Sequence, residues 1–347
     1  MNESDDQFVE RATELRHLAL TEPMEVDPDD VGAILSNPVA SHPAHGAAIV
    51  ALLNVARVRD DVGATFVDDL GRLLGRPSLE TALVLRCLRQ LATNDPKAVL
   101  VLRDEIVDHV STKPTDVTQA ATGCCVELVA TAPGEFVDLV PTLSTLLDTE
   151  NDQIRANAVY VLSGVAHEYP EEVKPVVPQL IDGVTDRDHA YQANALSALG
   201  AVVSAYPAIG TSATETLAEI AGSGAPTNVR ANAVGLLGDI ATEHPADVRD
   251  HVPVLVSCLH TDDEYLSGNA AAALLHVAVD DSEATEVAIP ALVELLDDPS
   301  PVVRRNACKA LGHLEATVAL EQLRSMADSD PDEGVRSIAA WATTRVT

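Results

Sequence analysis

Val229-Arg230-Ala231-Asn232-Ala233-Val234-Gly235-Leu236-Leu237-Gly238-Asp239-Ile240 is the stretch that decides the fold. Its apolar Val229, Ala233, Leu236, Leu237 and Ile240 stand at i, i+4, i+7, i+8 and i+11, the spacing of one face of an α-helix. The same pattern returns along the chain. Asn157, Asn194, Asn232, Asn269 and Asn306 sit in RANAVYVLSG, QANALSALG, RANAVGLLG, GNAAAALL and RNACKALG, separated by 37, 38, 37 and 37 residues. A second ladder, Pro96, Pro133, Pro170, Pro207 and Pro245, runs through NDPKAV, TAPGEF, EYPEEV, AYPAIG and EHPADV at spacings of 37, 37, 37 and 38. Two independent ladders with one period identify an internal repeat, and a repeat of this length built from helices stacks into a solenoid.

Each period resolves into two helices. The first is clearest in Val287-Ala288-Ile289-Pro290-Ala291-Leu292-Val293-Glu294-Leu295-Leu296, with relatives in LVPTLSTLL, VVPQLIDGV and HVPVLVSCL. A short polar turn such as Asp297-Asp298-Pro299-Ser300-Pro301 leads into the second. The ladder prolines end one helix and open the next, because proline fixes φ and lacks an N–H. The inner prolines Pro141, Pro178, Pro253 and Pro290 are expected to bend the first helices. Gly164, Gly200, Gly238 and Gly312 are expected to let neighbouring units approach closely.

These units resemble HEAT repeats. The resemblance is carried by the Pro-x-Leu of the first helix, the acidic turn, and Val-Arg-x-Asn-Ala followed by Leu-Gly in the second, as in Val229–Ala233 and Val303-Arg304-Arg305-Asn306-Ala307. Ala47 and Leu83 replace the Asn in the first two units, and Gln192 and Ser267 replace the Arg in two others. The resemblance implies an all-α superhelical solenoid of about nine hairpins over residues 25–347, a single continuous array whose second helices line a concave face. Residues 1–24 hold a capping helix and its lead-in, since a terminal unit needs a polar outer side.

Acidic residues number 54 against 22 basic ones, a formal net charge of -32. Affinity for a phosphate backbone comes from Lys and Arg, and no basic block is present, so nucleic acid and anionic membranes are poor partners. Only Lys97, Lys113, Lys174 and Lys309 are lysines, a bias that resembles haloarchaeal proteins. In molar salt the Debye length falls to about 3 Å, so dense like charge repels little. The first residues carry no basic stretch followed by an apolar one, and no run of about 18 apolar residues occurs, so a cytoplasmic protein is expected. Cys87, Cys124, Cys125, Cys258 and Cys308 fall inside helical patterns without a CxxC pair and read as small buried hydrophobes.

A row of amides at equal spacing can hydrogen-bond an extended peptide, as in the related armadillo repeats, which makes Asn157, Asn194, Asn232, Asn269 and Asn306 the candidate partner-binding residues. Their place beside the apolar stripe favours a second role, bracing the neighbouring unit's turn. Arg155, Arg230, Arg304 and Arg336 recur just after the stripe begins, and Asp298 and Asp330 precede Arg304 and Arg336 by six residues. This resembles the family's Asp–Arg ladder and favours structural ion pairing over anion binding. The acidic turns, such as Asp328–Glu333, read as solvated rims, with a basic partner segment as the minority reading.

Eleven histidines raise the question of a metal, but no HExxH and no zinc spacing occurs, and only His167-Glu168 matches the His-Glu pairs of HEAT-like hydroxylases. No GxSxG elbow or phosphate-binding glycine loop is present. No catalytic, cofactor or metal residues are assigned and no cofactor is expected. The resemblance implies a non-catalytic, monomeric scaffold or adaptor that holds a protein partner on its concave face. The alternatives are an enzyme of the bilin-lyase type, which shares short HEAT-like repeats, and a regulatory adaptor of a signalling or taxis system.

Overall fold

The computed structural model describes residues 5–75, 81–185 and 188–346, and among them every regular element is helical. Ten long helices organise the chain: α1 Asp5–Thr21, α2 His42–Ala56, α3 Thr81–Asn94, α4 Asp116–Val129, α5 Asp152–Glu168, α6 His189–Ala205, α7 Thr227–Ala241, α8 Glu264–Asp280, α9 Pro301–His313 and α10 Glu333–Val346. Helices α2 to α10 are the second helices of the repeat. The first helices are chains of short α and 3-10 pieces between them. The fold is an all-α solenoid of HEAT-like hairpins.

Two compact units are formed, Met1–Glu172 and Val173–Thr347. In the first, α1 packs along α2, and α2, α3, α4 and α5 follow side by side. In the second, α6, α7, α8, α9 and α10 do the same. The cores are built from Ala, Val and Leu. Val229, Ala233, Leu236, Leu237 and Ile240 of α7 are all buried, as the helical spacing requires. Small side chains suit this arrangement, because a helix covered on three sides must approach its neighbours closely.

The turns before the second helices carry side chains that accept from the otherwise unpaired first N–H groups. Asn151 Oδ1 accepts from Ile154 N at 3.0 Å, Asp188 from Ala190 N at 2.8 Å, and Asp263 from Leu266 N at 2.9 Å. The acidic turns therefore do more than solvate a rim: part of their charge closes helix ends, where the helix dipole favours an anion.

The inner prolines behave differently from expectation. Pro141, Pro178, Pro253 and Pro290 occupy the second position of the α-helical pieces Val140–Leu146, Val177–Gly183, Val252–Leu259 and Ile289–Glu294, each entered from a 3-10 segment. They start an α-helix instead of bending one, because a first-turn residue needs no N–H partner. The glycines also divide. A Cβ on Gly164 would lie 2.8 Å from Val129, and one on Gly312 would lie 2.6 Å from Trp341, whereas Gly200 and Gly238 have ordinary room of 3.6 Å. Close approach demands glycine at the first two positions only.

Candidate functional site

The surface left open by the second helices is composed of rows. Residues at i, i+3 and i+7 share a helical face, so the ladder asparagine and the residues three and seven positions later line up from one helix to the next. In the second unit these rows read Asn194, Asn232, Asn269, Asn306, then Ser197, Gly235, Ala272, Lys309, then Ala201, Asp239, His276, His313. In the first unit the corresponding part of α5 presents Asn157, Tyr160 and Gly164, with Tyr160 exposed.

Three asparagines reach back to the preceding helix in the same way. Asn269 Nδ2 donates to Ala231 O at 3.0 Å and Asn306 Nδ2 to Gly268 O at 3.1 Å. Asn157 Nδ2 lies 3.4 Å from Gln119 O and 3.1 Å from Thr122 Oγ1. With the Asn157 amide turned over, its oxygen accepts from Gly123 N at 3.2 Å and from Thr122 Oγ1 at 3.1 Å, so the side chain braces the preceding helix in either orientation. Each of these three bonds crosses 38 residues. Asn94 Nδ2 makes the equivalent bond to Ala56 O at 3.1 Å from a position the repeat pattern did not single out. Asn194 is half-buried and Asn232 is exposed on α7. The amides available to a ligand are thus unequal along the row.

The arginines also differ from one another. Arg304 is the most enclosed: Nε and Nη2 donate to Asp330 at 3.0 and 2.8 Å, and Nη1 donates to the carbonyls of Asp298 and Pro299 at 2.9 and 3.1 Å. Arg336 repeats the carbonyl half of this pattern, donating to Asp330 O at 2.7 Å. The sequence places Asp298 with Arg304 and Asp330 with Arg336, but each arginine takes the backbone of its own turn, and the carboxylate that Arg304 holds, Asp330, belongs to the following unit. Asp298 uses its carboxylate on Ser300 N at 2.8 Å. The Arg304 guanidinium holds the Asp330 carboxyl below the usual carboxylate range. Arg155 pairs with Asp152 at 3.1 Å, and Arg230 donates to Ala221 O at 2.8 Å.

Chemistry elsewhere is sparse. All five cysteines are buried and unpaired by disulfide, and burial pushes the thiols of Cys87, Cys125 and Cys308 up to about 12. A buried thiol of this kind is a poor nucleophile. Among the described residues no group of three His, Cys, Asp or Glu side chains is placed to hold a metal ion, and no helix is long and apolar enough to cross a membrane. Open clefts lie among the described residues of the second unit. One is lined by Arg249, Asp250, Asp281 and Glu283, with Arg249 paired to Asp281 at 3.5 Å. Another, between two turns, is lined by Asp262, Glu264 and Asp298 and is acidic.

One constellation escaped the sequence reading. Asp239, His276 and His313 occupy the same place in three successive helices, and α10 sets Trp341 beside His313, with ring centroids 5.0 Å apart. Burial lowers the pKa of both histidines, and the Lys309 charge lowers both further. Burial raises that of Asp239. The signal was present at a fixed offset of seven from the asparagines, but it becomes visible only when the helices are aligned by row.

Comparison with known proteins agrees with this geometry. The fold and its rows define a HEAT-type helical-repeat protein, a fold of the protein-interaction scaffold kind. The family described as the adaptin N terminal region matches residues 48–246, more than half of the chain, and HEAT repeats match residues 252–343. The chain belongs to this family of HEAT-like repeat proteins. No curated protein matches it. Among solved structures it is similar to the crystal structure of an engineered protein from the Northeast Structural Genomics Consortium, with a TM-score of 0.85 at 21% identity, covering 100% of this chain and 96% of that one. A likeness at that identity speaks for the fold alone.

Proposed function

We propose that this protein is a non-catalytic scaffold or adaptor that holds a partner protein along the face of its second helices, acting as a monomer in the cytoplasm. The observation that carries the reading is the regular row structure of that face. Part of each second helix is committed to packing and to asparagine braces, while Asn232, Tyr265 and Val302 are exposed, the last two at the repeat spacing of 37 residues. Repeated exposed positions on rigid helices present a partner with a long surface that costs little ordering. The unbroken register of the ladders supports treating residues 25–347 as one continuous array.

Affinity capture at the native salt of the source organism tests this. The unaltered chain is compared with Asn232→Ala/Tyr265→Ala/Val302→Asp on the second-helix face and with Val287→Asp on a first helix. One dominant partner, lost from the triple variant and kept by Val287→Asp, is the expected result. A reproducible turnover that depends on a polar cluster, with no partner, contradicts the reading.

A further inference from the structure

At the carboxyl end of the second-helix face basic side chains gather. Lys309 stands three residues after Asn306 and His313 seven residues after it, and α10 contributes Trp341 and Arg345 to the same two rows. Trp341 is seated on the backbone of α9, its ring against Gly312 where no Cβ intervenes, and it lies beside His313. His276 of α8 borders the group and feels the Lys309 charge, as His313 feels those of Arg345 and Lys309. Lys309 and Arg345 are exposed, and among the described residues neither forms an ion pair. Among the described residues Arg59, Arg103, Arg249 and Arg304 are matched to carboxylates, whereas Lys309 and Arg345, like Arg86 and Arg324, are not. What sets Lys309 and Arg345 apart in a chain with 54 acidic and 22 basic residues is their clustering with two histidines and the single tryptophan.

We propose that this end of the face, formed by Lys309, His313, Trp341 and Arg345 with His276 at its edge, docks an acidic segment of a partner protein. The inference rests on reading the second-helix face as a partner-binding surface and adds the chemistry of the partner. Packed helices lie about 8–10 Å apart, so the path from α8 to α10 is roughly 20 Å. An extended peptide of about six residues spans that length. Its carboxylates meet fixed cations at Lys309 and Arg345, and the imidazoles offer further donors. Trp341 supplies a flat apolar wall for the peptide's side chains. A long polyanion fits less well, because its phosphates beyond the cluster meet the field of a chain whose net charge is -32.

Trp341 is the only tryptophan, so its fluorescence reads the site directly. The full chain is titrated with hexaglutamate in the lowest salt that leaves its helical circular dichroism unchanged, with hexaglutamine and a ten-nucleotide oligothymidylate as comparisons. The expected result is a saturable change with hexaglutamate alone. It weakens as salt is added, becomes about fivefold weaker in Lys309→Ala/Arg345→Ala, and is retained in Lys309→Arg. No saturation, an undiminished response in the double variant, or preference for the oligonucleotide overturns the proposal. If the titration fails while the triple variant of the face still loses its partner in affinity capture, the docking chemistry alone is wrong.

Discussion

Asn306 and Asn232 occupy the same repeat position and do different work. Asn306 ties α9 to the Gly268 carbonyl of α8, while Asn232 lies exposed on α7. Asn306→Ala is expected to lower stability by about 1 kcal/mol, the worth of a part-buried hydrogen bond, and Asn232→Ala to stay within about 0.5 kcal/mol. Urea unfolding of the two variants checks this. The sequence ranks both residues alike because a ladder reports position and not environment. Arg304 is the second residue-scale case. Its bidentate bond to Asp330 is buried, so Arg304→Ala leaves a carboxylate without its partner and should cost roughly 2 kcal/mol, less than a fully enclosed pair because the turn is near the surface. The sign of its pH dependence follows from the depressed Asp330 pKa. The folded state binds the Asp330 proton less readily than the unfolded state, so the contribution is complete above the ordinary carboxylate value and is lost as pH falls through the folded one. Acid titration of stability should therefore be shallower in Arg304→Ala than in the unaltered chain.

Between helices, close approach depends on what a neighbour places against the backbone. Gly312→Ala drives a methyl into Trp341 and is expected to cost about 1–3 kcal/mol with a shift of tryptophan emission. Gly200→Ala meets only an ordinary contact with Leu236 and should be neutral or gain up to about 1 kcal/mol of helix propensity. Thermal unfolding of both variants separates the cases. The sequence showed the second helices well, since a stripe such as Val229–Ile240 has a single helical solution. It showed the first helices less well. The 3-10 pieces before Pro141, Pro178, Pro253 and Pro290 have no periodicity of their own, and proline at a helix start cannot be told from proline within one until the hydrogen bonds are seen. The register of the arginines was hidden for a similar reason: Asp298 and Arg304 are close in sequence, but the carboxylate that Arg304 holds comes from the next turn. The cationic end of the face was hidden because Lys309, Trp341 and Arg345 come together only once α9 and α10 lie side by side.

For the whole molecule, charge and repetition set the behaviour. A net charge of -32 strains a folded chain unless counterions screen it. Helical circular dichroism is expected to fall as salt is lowered from molar to about 0.1 M, where the Debye length reaches about 10 Å; an unchanged spectrum would remove the salt-adapted reading of the acidity. Repetition made the fold legible from sequence, whereas function stayed less so, because the residues that repeat are those that pack and the residues that distinguish one face from another are those that do not. The most direct measurement of the scaffold assignment is site-specific photo-crosslinking in lysate at native salt, with the crosslinker at Tyr265 on the second-helix face and, separately, at Val287 on a first helix. A scaffold that binds through its second helices gives one protein adduct from Tyr265 and none from Val287; equal adducts at both positions, or adducts at Val287 alone, would contradict this.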